Sequence, residues 1–203
     1  RTSAMKDLLE AFEGTLAGER INSLLSQYER LGLVQSRFQK DFSVSCISGC
    51  GKCCEHYVPF LSESEALVAA YVIIRDKREE EVLARLNGGS PSSPVCPLYN
   101  KDGEYHCALY EGRSLVCRLF GLSVSQDKEG RPVWKACKWK EGKGEVISTE
   151  TLQDKRESVP VMAEYGEKLT EYGDTEGDTI YDALPKAIWK LKMLLSLTDS
   201  NPA

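Results

Sequence analysis

Cys46, Cys50, Cys53 and Cys54 fall within nine positions, with Gly49 and Gly51 on either side of Cys50. The density of thiols reads first as a metal-ligand signature, because the thiolate is the ligating form and three of these sulfurs crowd into positions 50, 53 and 54. A disulfide needs Cα atoms about 4.4 to 6.8 Å apart with convergent side chains, which suits such crowding poorly. The glycines let the backbone wrap tightly and aim amide groups at sulfur, and those hydrogen bonds tune a metal-bound thiolate. Four more cysteines follow at Cys96, Cys107, Cys117 and Cys137, so eight thiols are candidate metal ligands. They suffice for two four-ligand sites, or for one cluster with spare thiols. The adjacent pair Cys53-Cys54 argues for two sites or a multinuclear one, because neighbouring side chains seldom reach one ion. Sulfur ligation suits zinc or an iron–sulfur cluster, and the count does not separate them.

Other chemistry is thinner. The two histidines lie beside cysteines. His56 has the spacing of a fourth ligand in a Cys3His site but reads as a polar neighbour. His106 and Cys107 are expected to point to opposite faces of a strand. Arg113, Arg118, Lys135, Lys138, Lys140 and Lys143 gather around the later cysteines with Trp134 and Trp139 interleaved. That mixture belongs to single-stranded nucleic-acid surfaces as well as to solvated faces that balance thiolate charge, and the second reading is preferred. Cys46-x3-Cys50-x2-Cys53 also reproduces the fingerprint of radical S-adenosylmethionine enzymes, whose three cysteines leave one iron open. That family's alternating strands and helices are missing from the pattern. Asp174, Glu176 and Asp178 invite a calcium loop, yet no Gly stands at its sixth position and Pro185 occupies the twelfth, so an acidic turn is expected. No nucleophile elbow, phosphate loop, dinucleotide fingerprint or H-E-x-x-H motif occurs.

The elements around the cysteines read as a helical shell. Leu8, Leu9, Phe12 and Leu16, then Ile21, Leu24, Leu25, Tyr28 and Leu31, then Val34, Phe38 and Phe42 recur at helical spacing, predicting two helices broken or kinked near Gly14 to Gly18. Tyr57 to Phe60 is extended. Ser62 followed by Glu65 is a capping-box signal for a helix burying Ala66, Leu67, Ala70, Ile73 and Ile74, and a second helical stretch ends at Asn87. Gly88 to Pro94 is a loop. A small hairpin over Leu98 to Leu109, a short helix over Glu111 to Leu119 and a turn over Gln126 to Pro132 carry the later cysteines. Helices return over Thr149 to Tyr172 and over about Tyr181 to Leu197. The expected class is α+β, predominantly helical. One domain over 1–203 is expected, with a cysteine core at about 45–140 between N-terminal (about 4–44) and C-terminal (about 149–198) helices.

The 203 residues carry 26 Lys plus Arg against 31 Asp plus Glu, a net charge of −5 that disfavours nucleic acid as the main partner. No apolar run approaches the roughly 18 to 20 residues of a membrane span, and no basic segment followed by an apolar one opens the chain. The expectation is a cytoplasmic protein without membrane association. Its expected partner is a metal ion, and a protein partner or substrate stays open.

Cys46-x3-Cys50-x2-Cys53-Cys54, Phe60-Leu61-Ser62 with Glu65, Cys96-Pro97-Leu98, Cys107-x-Leu109-Tyr110-Glu111-x-Arg113 and Cys117-Arg118-x-Phe120-Gly121 follow in order. Together they resemble the YkgJ-type cysteine-cluster family over roughly residues 46 to 137. The resemblance implies chelation of zinc or iron at the eight cysteines, with no defined activity for most members. A bacterial flagellin lysine N-methylase shares the cluster, so an iron–sulfur-dependent enzyme using S-adenosylmethionine on protein side chains, or a redox protein, is the alternative. One departure is Ser114, where the family usually has Pro after the Arg, a change expected to touch a turn and no ligand.

Overall fold

The computed structural model describes residues 8–46, 50–139, 146–170, 174 and 177–199; Gly49, Lys140, Lys143, Tyr172 and Glu176 lie outside them. A helical turn at 8–10 and a reversal through Gly14 lead into α1, Leu16–Phe42, which is one unbroken helix. Thr15 caps it, its hydroxyl accepting from the Gly18 amide at 3.0 Å and donating to the Phe12 carbonyl at 2.7 Å. The expected break therefore ends at Thr15, and Gly18 lies inside the helix. A Cβ on Gly18 would stand 2.1 Å from the Phe12 carbonyl oxygen, so glycine there lets the incoming turn fold back against α1. Leu16, expected on the buried face, is exposed.

Beyond the first cysteines come β1, Phe60–Leu61, and α2, Glu63–Arg75. The capping box is complete, with the Glu65 amide donating to Ser62 Oγ and the Ser62 amide donating to Glu65 Oε2 at 2.9 Å. Every residue of α2 from Ser64 to Ile73 is buried, which marks it as the central helix. Each fully buried Leu or Ile there contributes about 1.5 to 3 kcal/mol relative to exposure. After Lys77, which takes up φ 54, α3 runs Glu79–Gly88.

The hairpin over 98 to 109 is reduced to one antiparallel bridge, Tyr99 to Cys107, framed by the Ala108 amide donating to the Leu98 carbonyl at 2.8 Å and the Asn100 amide to that of His106 at 3.1 Å. The helix expected from Glu111 starts later, as α4, Leu115–Leu119. A Cβ on Gly112 would press 3.2 Å from the Ala69 backbone, so this stretch lies flat on α2 before the helix can begin.

Strands β2, Ser125–Gln126, and β3, Pro132–Val133, pair antiparallel with Ser125 opposite Val133. Asp127 closes the turn by accepting from the Glu129 and Arg131 amides at 3.0 and 2.8 Å. Then come α5, Thr149–Asp154, a 3₁₀ turn at Arg156–Ser158, and α6, Met162–Thr170. Last are β4, Asp178–Thr179, antiparallel to β1, and α7, Ile180–Asp199.

The fold is predominantly helical α+β, with sheets of only two short strands. Helix α2 packs between α1 and α7, and this core extends into the cysteine segment through Cys96, Leu98, Leu109, Leu115 and Leu119. A second core of Phe38, Val44, Val124, Leu152, Val159 and Val161 lies at the far end of α1. Asp174, from the supposed acidic turn, is buried; it accepts from the Ser64 amide at 3.2 Å and pairs with Arg20 at 3.7 Å, serving the start of α2. Among the described residues no helix is long and apolar enough to cross a membrane.

Glu65 closes more than its own cap. Its Oε1 accepts from the Leu115 amide at 2.7 Å, tying the first turn of α2 to the first turn of α4 across fifty residues of chain. Burial pushes its carboxyl above the ordinary 4.5, against the pull of the Ser62 and Leu115 amides. In Glu65→Gln the new NH2 faces an amide donor, and the variant should lose about 1 to 3 kcal/mol in denaturant unfolding. A raised folded pKa means that folding retains the proton, so this group's contribution is full below 4.5 and is lost as pH rises through the raised value. Glu65→Gln should lack that part of the pH dependence of stability.

Candidate metal centre

The first cysteines are set by a tight turn. The Cys54 and Glu55 amides both donate to the Gly51 carbonyl, at 2.9 and 3.3 Å, and the His56 amide donates to the Cys53 carbonyl at 3.2 Å. Gly51 has φ +62, and a Cβ there would stand 2.5 Å from His106 Cβ. The turn is thus pressed against the 98–109 hairpin, where His106 itself takes a left-handed φ of 50. His106 is in a turn and not on a strand, so strand alternation does not separate it from Cys107. The two segments are laced further by the Cys96 amide donating to the Cys54 carbonyl at 2.8 Å and by Tyr99 Oη donating to Glu55 Oε1 at 2.8 Å.

Three arginines hold this unit on the helices. Arg78 donates to the Ala108 carbonyl, Arg85 to that of Tyr99 at 3.4 Å, and Arg75 pairs with Glu111 at 2.7 Å. On the other side α1 supplies Gln35, whose Nε2 donates to the Arg118 and Leu122 carbonyls at 2.7 and 3.3 Å on either side of the end of α4. Cys117 rides on α4. The Ser114 hydroxyl, expected to matter only to a turn, donates to Cys117 Sγ at 3.2 Å. The remaining pair, Cys46 and Cys137, meet over Gly121: a Cβ built on that glycine lies 3.5 Å from Cys46 Sγ and 3.9 Å from Cys137 Cβ.

None of the eight cysteines is in a disulfide; Cys96 is buried, Cys46 exposed and the other six lie between. Each sulfur whose protonation is perturbed feels others of the set. Burial drives Cys96 up to about 12 and Cys117 up to about 11, each raised further by Cys107 and Cys53. Burial also raises Cys107. Cys46 is exposed as a residue, yet local desolvation of its sulfur raises it, with repulsion from Cys137, Cys50 and Cys53 adding to the effect. Cys53 runs the other way: a hydrogen bond from the Cys54 thiol brings it down to about 6 and pushes Cys54 far up as the donor.

The cations are not a simple solvated face. The Arg113 guanidinium lies 3.6 Å from the Tyr110 ring centroid and favours the thiolate form at Cys46, Cys53, Cys107 and Cys117 alike. Arg118 turns away from solvent, stacking 4.0 Å over Tyr28 and donating to the Arg113 carbonyl at 2.9 Å. His56 stacks on Trp139 with ring centroids 5.4 Å apart, and Lys138 covers that indole at 4.5 Å.

The donor set suits a thiophilic cation: eight unbridged sulfurs, drawn from distant stretches of chain, with a guanidinium beside them to offset thiolate charge. It is convergent and not closed. Among the described residues, no three His, Cys, Asp or Glu side chains already stand as a group able to hold an ion. Each protonated thiol that becomes a ligand must also give up its proton to water. Sequence reasoning placed Arg113 among the cations that balance thiolate charge, but missed Glu65 as the anchor of α4, Gln35 as its clamp and Ser114 as a partner of Cys117; only the local spacing of Ser114 and Cys117 offered a signal.

Gly51→Ala should force both a left-handed alanine and a clash with His106, costing upward of about 1 kcal/mol in denaturant unfolding, whereas Gly32→Ala on open helix surface, with nothing within 4 Å, should be neutral or stabilising.

No curated protein and no solved structure matches the chain. Residues 45–141, a little under half of it, match the family model CxxCxxCC, described as "Putative zinc- or iron-chelating domain". The matched segment opens one residue before Cys46 and closes four after Cys137, so it encloses all eight thiols and the hydrogen bonds that lace them. The match covers this cysteine-bearing segment, which includes α2 and α3, and is a similarity to the CxxCxxCC family of cysteine-cluster domains.

Proposed function

We propose that the protein is a metal-binding module in which Cys46, Cys50, Cys53, Cys54, Cys96, Cys107, Cys117 and Cys137 ligate zinc or iron inside a helical shell. The observation that supports this reading is the match of residues 45–141, which holds all eight cysteines, to a zinc- or iron-chelating domain model, together with electrostatic effects of several of those cysteines and of Arg113 on one another. Four thiolates around a divalent ion leave a net charge of about −2, and a neighbouring guanidinium stabilises that charge. When bound, the metal supplies cross-links between segments that are far apart in sequence, or electron-transfer chemistry if it is an iron–sulfur cluster. The chain's own part is to bring the thiols together, to keep Cys96, Cys107 and Cys117 away from solvent, and to place Arg113 against them.

The alternative of an S-adenosylmethionine-dependent enzyme finds no specific support. The described elements are helices and two-residue strand pairs, not the alternating strands and helices that accompany the radical fingerprint.

Elemental analysis with a visible spectrum on anaerobically prepared protein should find stoichiometric metal, colourless if zinc and brown if an iron–sulfur cluster. Cys50→Ser and Cys53→Ser should each lower the metal content, and a strong chelator should lower the unfolding temperature of the wild type. Protein free of both zinc and iron in that preparation would defeat the reading.

A further inference from the structure

The last helix leaves a row of large apolar side chains uncovered. On α7, Trp189, Met193 and Leu197 are 67%, 40% and 61% exposed and recur every four residues, so they form one ridge along the helix. Exposed apolar residues scattered singly are ordinary on a monomer; a ridge of three headed by Trp is not. Beside the ridge lies an open groove of about 550 Å³ between α3 and α7, walled by Glu79 and Leu83 on one side and by Ile188, Trp189, Lys192 and Met193 on the other. Two charges of opposite sign flank its apolar lining. Glu79 and Lys192 share this groove, yet among the described residues neither is in an ion pair. The lysines next to them are already matched: Lys190 pairs with Glu63 at 2.6 Å and Lys186 with Asp178 at 2.7 Å.

We propose that this face is the contact between two copies of the chain, paired by a two-fold axis with the α7 ridge of each copy seated in the α3–α7 groove of the other. An isologous contact requires a surface complementary to itself. This face meets the requirement in shape, because ridge and groove lie side by side, and in charge, because Lys192 of each copy then meets Glu79 of the other. Rows at four-residue spacing are also the ones that interdigitate in the commonest packing of two helices. A purely acidic or purely basic partner would match one of the two charges and leave the other covered and alone, which is costly. An anionic lipid surface meets the same objection, since Glu79 would be repelled by it. On the outer flank of the ridge, Lys186 and Lys190 are held by their own acids and add no net charge to drive two copies apart. The contact uses no cysteine and is independent of the metal-binding reading.

The test is sedimentation equilibrium of the full chain, kept reduced so that no intermolecular disulfide forms. Wild type should be a reversible dimer at about 0.1 mM, and Trp189→Glu a monomer with an unchanged circular dichroism spectrum. Glu79→Lys and Lys192→Glu should each raise the dissociation constant at least about tenfold, because each forces two like-charged pairs together. An equimolar mixture of those two variants should dimerise as wild type does, since both pairs across the axis are again of opposite sign. Mixing cannot restore a pair made inside one chain, so this arm reads the contact between copies directly. Where Trp189→Glu fails to fold, the two charge variants and their mixture decide the matter alone. Wild type that stays a monomer up to about 0.5 mM, a dimer that survives Trp189→Glu, or a mixture no tighter than its separate components overturns the proposal. Monomeric wild type that binds phosphatidylserine vesicles through Trp189 also overturns it and gives the face to a lipid surface.

Discussion

The buried carboxylate of Glu65 is the joint on which the arrangement turns. One oxygen closes the capping box of α2 and the other takes the first amide of α4, so the central helix of the core and the helix carrying Cys117 start from the same side chain. A buried carboxyl is costly unless its lone pairs are filled, and here backbone donors fill them at 2.9 and 2.7 Å. The cost makes the joint selective: any displacement of α4 would leave a polar oxygen buried without its donor. Asp174 and Arg20 work beside it at the same helix start, where acidic groups meet the positive end of α2.

Around that joint, the cysteine-bearing stretches are supported by side chains from neighbouring elements. Arg78, Arg85 and Gln35 satisfy carbonyls of a stretch too short in regular structure to satisfy its own. The thiols then stand in opposing fields. Burial holds Cys96 and Cys117 in the protonated form, whereas Arg113 and the Cys53-Cys54 hydrogen bond favour charge at Cys53. On the proposed reading, a cation entering the set would relieve the repulsion among the sulfurs and replace their protons, coupling metal binding to the folding of this segment.

Much of this was legible in order along the chain. The capping box at Ser62 and Glu65, the stop before Gly89 and the turn through Asp127 all rest on interactions within four residues, for which spacing and residue type suffice, whereas the one buried face expected of α2 became burial all round from Ser64 to Ile73. Where local patterns met a tertiary demand they fell short. Leu16 matches the helical period yet is exposed, because the chain folds back at Thr15 and Phe12 takes the buried place. The helix expected from Glu111 waits until Leu115 because Gly112 must lie against Ala69 first. Asp174 looked like part of a solvated acidic turn and is instead a buried cap.

By itself the sequence determined which atoms could do chemistry: eight thiols, four of them within nine positions, and a helical pattern on either side to carry them. Soft donors at such density define a class of ligand whatever the fold. Which thiols keep company was decided only by tertiary structure. Cys46 reaches Cys137 over Gly121, and Cys54 reaches Cys96 through a backbone hydrogen bond, because Glu65, Arg78 and Gln35 fix segments that are 30 to 87 residues apart. Such pairings depend on where separate elements pack, and no spacing along one strand of sequence encodes that.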